Sequence, residues 1–234
     1  MRPYHRNINR FPAALLLVWL CCLLLAGCER RETAPPAEQA ETATAYAGTI
    51  IAAGDSLTAG QGVAPQDAWP SLLAKKLAKN GLNWQVINAG ISGETSSGMV
   101  ARSKWLLAQR PEIVIVATGA NDGLRGIPPQ VIRENIAQTV RLLQSGQTTV
   151  VLAGMQIVQN LGEDYSREFA AIYPAVAGEL QCILIPFLLK EVAGEPSLNQ
   201  EDTIHPNEKG HQVIAEIVYP YVLQAIQAHP RTVP

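Results

Sequence analysis

Gly54-Asp55-Ser56-Leu57 stands directly after an apolar run. A serine at such a strand-to-helix turn would expose its hydroxyl at the carboxyl edge of a sheet, facing the N–H groups of the helix start. A serine hydroxyl is a weak nucleophile near neutral pH and needs a base within hydrogen-bond reach. Asp202-Thr203-Ile204-His205-Pro206-Asn207 offers one. An imidazole can take and return a proton near neutrality, and an acid three residues earlier in the same loop can reach its ring. Between these stretches lies Asn88-Ala89-Gly90-Ile91-Ser92-Gly93-Glu94-Thr95, whose two glycines let the backbone approach a ligand closely. Gly119-Ala120-Asn121-Asp122-Gly123 follows, with an amide able to donate a hydrogen bond. Each stretch also has a plain structural reading: a capping serine, a turn with a helix cap, an Asx turn, a solvated histidine before a helix. Taken alone, the Gly-Asp-Ser-Leu tetrapeptide reads better as a cap. His211 and His229 take the structural reading outright, on a helical surface and in the tail.

The elements that must position these stretches change the balance. Apolar runs at Thr49–Ala53, Gln85–Asn88, Ile113–Ala117, Thr148–Ala153 and Cys182–Pro186 are short, rich in Val and Ile and mostly apolar on both faces. Such strands belong in a parallel sheet covered on both sides. Helical patterns at 68–80, 97–109, 129–144, 164–180 and 206–227 alternate with them, and Pro129 and Pro206 stand where a first helical turn would start. The alternation predicts a three-layer α/β domain with right-handed crossovers, whose active residues gather at the carboxyl ends of the strands. All four stretches fall, in order, at that edge.

With that order, the sequence resembles the SGNH subgroup of the GDSL hydrolases, whose four blocks are built around a Ser, a Gly, an Asn and a His. The similarity covers most of residues 49–227 and is closest to the bacterial thioesterase I/lysophospholipase/arylesterase group. Supporting stretches are Ala68-Trp69-Pro70, Ile91-Ser92-Gly93, Asn121-Asp122-Gly123-Leu124-Arg125-Gly126, Ala171-Ile172-Tyr173-Pro174 and Ile204-His205-Pro206-Asn207. The resemblance implies a flavodoxin-like αβα fold with five parallel strands in order 2-1-3-4-5. It implies a serine esterase acting on carboxylic esters or thioesters (aryl and alkyl esters, acyl thioesters, lysophospholipids) through an acyl-enzyme on Ser56. Ser56 matches the nucleophile, His205 the base and Asp202 the orienting acid. The oxyanion donors would be the Ser56 N–H, the Gly93 N–H and the Asn121 amide, with Gly90 a weaker match than Gly93. Two rival readings are a carbohydrate O-deacetylase of the same superfamily and a non-catalytic envelope binding module on the same fold. The module would be expected to lack the Ser or the His. There is no Gly-x-Ser-x-Gly elbow, and no Gly-x-Gly-x-x-Gly or P-loop to hold a nucleotide or flavin, so no cofactor is expected. One stretch departs from the family pattern. Related thioesterases carry a proline-bearing loop before an Asn-Tyr-Gly stretch, whereas Met155–Gly162 lacks those prolines and has Leu161 at the Tyr position. This loop, over 156–162, is expected to line the acyl pocket, with Gly123–Pro128 as a lip opposite.

Composition bounds the rest. Of 234 residues, 47% are hydrophobic, enough for one sizeable core. Arg2, Arg6 and Arg10 precede an apolar run from Phe11 to Ala26, too short to span a bilayer, and Leu25-Ala26-Gly27-Cys28 resembles the bacterial lipobox. Residues 1–27 are therefore read as a lipoprotein signal peptide. Cys28 would be the lipid attachment site, with 28–48, rich in Ala, Glu, Thr and Pro, as a flexible tether. The hydrolase domain is read over 49–228 and a tail over 229–234. The expected address is the bacterial cell envelope, lipid-anchored and facing the periplasm, for a chain expected to be monomeric. That address argues against acyl-CoA, a cytosolic pool, as physiological substrate. Without the three signal arginines, 15 Lys and Arg face 20 Asp and Glu, which argues against a nucleic-acid partner. Cys182, the cysteine left after the signal and anchor, reads as a buried inert thiol, and no Cys/His cluster has zinc spacing.

Overall fold

A computed structural model describes residues 45–157 and 161–229. The segment read as a signal peptide, Cys28 and most of the stretch read as a tether fall outside the described residues, as do residues 158–160 and 230–234. The chain divides into two units, Met1–Ala43 and Thr44–Pro234; the fold is that of the second.

Five strands, β1 (Thr49–Gly54), β2 (Gln85–Gly90), β3 (Ile113–Ala117), β4 (Thr149–Ala153) and β5 (Ile183–Ile185), form one sheet in the order β2-β1-β3-β4-β5. Every pairing is parallel. The flavodoxin-like strand order and three-layer architecture expected from the sequence are therefore present. The helices are α1 (Ser56–Ala59), α2 (Trp69–Lys79), α3 (Ser96–Ala108), α4 (Ala120–Leu124), α5 (Pro129–Ser145), α6 (Glu163–Leu180) and α7 (Glu208–Ala228). One layer is α2 packed on α7; the other is α3 on α5 on α6. Apolar residues at helical spacing turn each helix onto the sheet: Trp69, Leu73 and Leu77 on α2, Phe169, Tyr173 and Val176 on α6, Ile214, Val218 and Val222 on α7. Between them β3 is buried along its whole length.

Three local expectations need correction. Ala89-Gly90 is not loop but the end of β2, which runs two residues past Asn88, since Ala89 pairs with Ala53 and Gly90 with Gly54. The strand can run that far because Gly90 carries no Cβ; one there would strike the backbone of Thr58 and Ala59. β2 is also an edge strand with half-exposed faces rather than one apolar on both sides. Pro206 lies outside α7 rather than in its first turn. Asn207 is the cap, its side-chain oxygen accepting from the N–H groups of Lys209 and Gly210 at 3.0 and 3.1 Å.

Because all five strands are parallel, the loops leaving Gly54, Gly90, Ala117, Ala153 and Ile185 emerge along one edge of the sheet. The four chemically suggestive stretches lie at or just beyond that edge.

Candidate active site

The serine turn is built by sterics and a cap. A Cβ at Gly54 would collide with the Thr58 side chain and the Ala117 carbonyl, so only glycine lets β1 bend here. Asp55 caps α1, accepting the Leu57 N–H at 3.0 Å. Gly60, at φ +80°, closes the helix by donating to the Ser56 carbonyl at 3.1 Å. Ser56 thus opens a one-turn helix with its side chain nearly buried. The neighbouring Asp55 carboxyl is 2% exposed, and burial pushes its pKa up to about 6 against the Leu57 hydrogen bond, with the Glu94 charge adding to the rise.

The histidine loop is held by its own backbone and by several of its side chains. An isolated bridge joins Asn199 and Pro206, and the Gln200 N–H donates to the His205 carbonyl at 2.8 Å. The Gln200 amide donates to the carbonyls of Gln61 at 2.7 Å and Pro206 at 2.9 Å, strapping this loop to the segment after the serine helix. Within it, His205 Nε2 lies 3.0 Å from Ser56 Oγ, and His205 Nδ1 lies 2.6 Å from Asp202 Oδ2. The other Asp202 oxygen accepts the N–H groups of Ile204 at 3.1 Å and His205 at 3.0 Å. The His205 ring, and then its N–H, holds the Asp202 carboxyl down at about 2. Asp202 therefore remains an acceptor across the range in which an imidazole titrates, which selects the tautomer with the proton on Nδ1 and leaves Nε2 free to accept from the serine hydroxyl.

Asn121 lies in the first turn of α4. Its amide donates to the Glu94 carbonyl at 3.0 Å and reaches Asp55 Oδ2 at 3.4 Å. The next residue, Asp122, is buried and accepts both the N–H and the hydroxyl of Ser96, at 2.8 and 2.6 Å, which locks α4 to the start of α3. Gly93 sits at φ +78°, a conformation that favours glycine, and its carbonyl accepts from Arg125 at 3.1 Å. It adjoins Glu94 but does not line the cleft beside Ser56 and His205.

That cleft has a volume of about 890 Å³ including its open mouth. Ser56, His205, Asn121 and Asp55 are among its lining residues, and Leu57, Leu124, Met155, Ile157, Leu189 and Ile204 supply apolar wall. Residues 155–157 of the loop expected to line an acyl pocket do line it, and residues 158–160 are outside the described residues. The lip opposite is partly helical, because Gly123 and Leu124 belong to α4. A hydroxyl bonded to an imidazole bonded to a carboxylate, facing an apolar cleft, suits nucleophilic attack by the oxygen on an acyl carbon.

Ser56, Asn121 and the Asp202–His205 loop, far apart in sequence, thus come together. His211 departs from expectation. It is not on a helical surface but 1% exposed, and accepts the Trp69 N–H through Nδ1 at 3.3 Å. Burial drives its pKa down to about 4. His229 caps the end of α7, 3.3 Å from the Thr149 hydroxyl. Sequence reasoning also missed Asp55, Gln200 and the Glu94–Arg102 ion pair. Their significance is a matter of which backbone groups they face, and no local pattern signals that.

Residues 52–213 match the GDSL-like Lipase/Acylhydrolase family. Esterase TesA of Pseudomonas aeruginosa is 38% identical over 180 residues, 76% of this chain and 90% of that protein. Thioesterase 1/protease 1/lysophospholipase L1 of Escherichia coli (strain K12) is 38% identical over 177 residues, 74% of this chain and 82% of that one. Among solved structures, the psychrotrophic esterase EstA from Pseudoalteromonas sp., inhibited by monoethylphosphonate, superposes with a TM-score of 0.74 at 32% identity, covering 77% of this chain and 99% of its own.

Proposed function

The chain belongs to the GDSL-like lipase/acylhydrolase family and is a carboxylic ester hydrolase, and from that premise we propose that Ser56 is its nucleophile, His205 its general base and Asp202 the acid that orients the base. The observation that carries this assignment is the unbroken run of hydrogen bonds Asp202–His205–Ser56, at 2.6 and 3.0 Å. As Ser56 Oγ attacks the acyl carbon, its proton passes to His205 Nε2, and Asp202 stabilises the imidazolium through Nδ1. The carbonyl π electrons move onto oxygen. The N–H groups of Ser56 and Gly93 and the Asn121 amide receive that charge, and loss of one such donor typically raises the barrier by about 2.7–4 kcal/mol. Collapse expels the alcohol or thiol, which takes the proton from His205. Water, deprotonated by His205, then attacks the acyl-enzyme, and Ser56 leaves with that proton as the free acid departs.

The apolar wall of the cleft favours a hydrophobic acyl group, so aryl and alkyl esters, acyl thioesters and lysophospholipids form the proposed substrate class. A carbohydrate O-deacetylase would have little use for Leu57, Leu124 and Ile157. The proposed setting is the bacterial envelope, with a monomeric domain tethered from an acylated Cys28. Rates on p-nitrophenyl acetate through decanoate, for the parent and for Ser56→Ala, test the assignment. Loss of nearly all activity in the variant and a rate maximum beyond acetate are expected. Equal rates for the two proteins would end the nucleophile assignment. For the anchor, Cys28→Ala should block maturation and leave an unprocessed precursor; a variant that matures as the parent does would refute acylation at that cysteine.

A further inference from the structure

Glu94 follows Gly93, and its carboxylate faces inward. Arg102, on the second turn of α3, grips it with both arms of its fork: Nε donates to Oε1 and Nη2 to Oε2, each at 2.6 Å. The two side chains are only 6% and 13% exposed. Nη2 also donates to the Gly54 carbonyl at 3.3 Å, two residues before Ser56. The Glu94 carbonyl in turn accepts the Asn121 amide at 3.0 Å. One guanidinium thus ties the end of the nucleophile strand to the loop that bears Gly93 and that also holds Asn121.

We propose that Arg102 is a positioning residue: paired with Glu94, it sets the oxyanion donors at their working distance from Ser56. The inference rests on the donor assignment given above. Stability alone is a poor reason for such a pair, because desolvating two charges largely offsets their attraction. Geometry is a better one. Oxyanion donors must lie about 2.7–3.1 Å from the developing charge, and the three proposed donors come from three separate stretches of chain. Only a planar fork can bond both carboxylate oxygens and a third acceptor in a fixed arrangement; an ammonium keeps the charge and loses the fork.

The test uses the full chain with Arg102→Lys, Arg102→Met and the double variant Glu94→Gln/Arg102→Met, beside the parent and Ser56→Ala. Melting temperature, kcat and KM on p-nitrophenyl butyrate, and inhibition by an alkyl boronic acid are measured for each. Arg102→Met should melt lower, because it leaves a buried carboxylate unpaired. The double variant removes both charges and should recover most of the melting temperature. Its kcat should nonetheless stay down by about tenfold to a hundredfold, with KM little changed, as expected of donors displaced by a fraction of an ångström. Boronate affinity should fall by the same factor, because the tetrahedral adduct reads the same donors. Arg102→Lys should keep the parent melting temperature and lose kcat. Recovery of kcat together with stability in the double variant, or parent kcat in Arg102→Lys, would overturn the positioning role. An active Ser56→Ala protein would instead overturn the nucleophile assignment, and the donor assignment with it.

Discussion

Asp55 and Asp202 flank one serine, and their surroundings push them in opposite directions. Asp202 is held low by the His205 ring and N–H. Asp55 is raised to about 6 by burial. A folded-state pKa above the ordinary value of 3.8 means that the folded form binds the proton more tightly than the unfolded chain. Stability associated with Asp55 is therefore complete below about pH 3.8 and is lost as pH rises through 6. Asp55→Asn keeps an acceptor for the Leu57 N–H without the charge. It should raise unfolding free energy at pH 7.5 by about 2–3 kcal/mol, with the gain shrinking to nothing below about pH 4. Urea melts of parent and variant at both pH values check this; an equal gain at both would show that the charge is irrelevant. Thr203 presents a second residue-scale cost. This β-branched residue sits at φ +65° between Asp202 and Ile204, in a region that disfavours its side chain. Thr203→Asn should stabilise the fold by about 1 kcal/mol, since Asn tolerates that conformation. Thermal unfolding gives the number, and an unchanged or lower melting temperature would count against strain at this position.

At the scale of elements, the contact between α2 and α7 turns on His211. Its ring accepts the first N–H of α2, from Trp69, on the buried side of a seam that the Lys76–Glu216 ion pair bridges nearer the surface. With its pKa lowered to about 4 from 6.5, the unfolded chain binds the proton first. The contribution of His211 is thus complete above about pH 6.5 and is lost as pH falls toward 4. His211→Gln can offer the same acceptor without titrating. The stability of the variant should decline less on acidification from pH 7 to 4.5, by about 2–3 kcal/mol relative to the parent. Denaturant titrations across that range measure the difference, and parallel curves would rule out His211 as the titrating group. The acid loss at His211 and the acid gain at Asp55 overlap in pH and oppose each other, so each is visible only by comparing parent with variant. The elements themselves were legible. Alternation of Val- and Ile-rich runs with helical periods gave five strands and five helices close to their observed bounds. The one-turn helices α1 and α4 were not legible. Four or five residues carry no period, and each of these helices exists because a particular loop must turn above the sheet edge.

For the molecule as a whole, every member of the buried core among the described residues lies between Ile50 and Ala225. A chain beginning at Ala45 should therefore fold and hydrolyse p-nitrophenyl butyrate with the kcat of the full chain; calorimetry and steady-state kinetics on the shorter chain test this. A shorter chain that fails to unfold cooperatively would show that residues 1–44 belong to the folding unit. Which residue types stand after which strands is readable from the amino-acid order alone. Apolar periodicity is a local property, and the parallel topology it implies sends Ser56, Gly93, Asn121 and the Asp202–His205 loop to a common edge. Only the tertiary structure decided how those groups meet. It brings His205 within 3.0 Å of Ser56 across 149 residues of sequence separation, buries Asp55 and His211 deeply enough to move their protons, and lays Arg102 between Gly54 and Glu94. Distances, burial and hydrogen-bond partners are set by packing among segments remote in sequence, and no pattern within one segment encodes them.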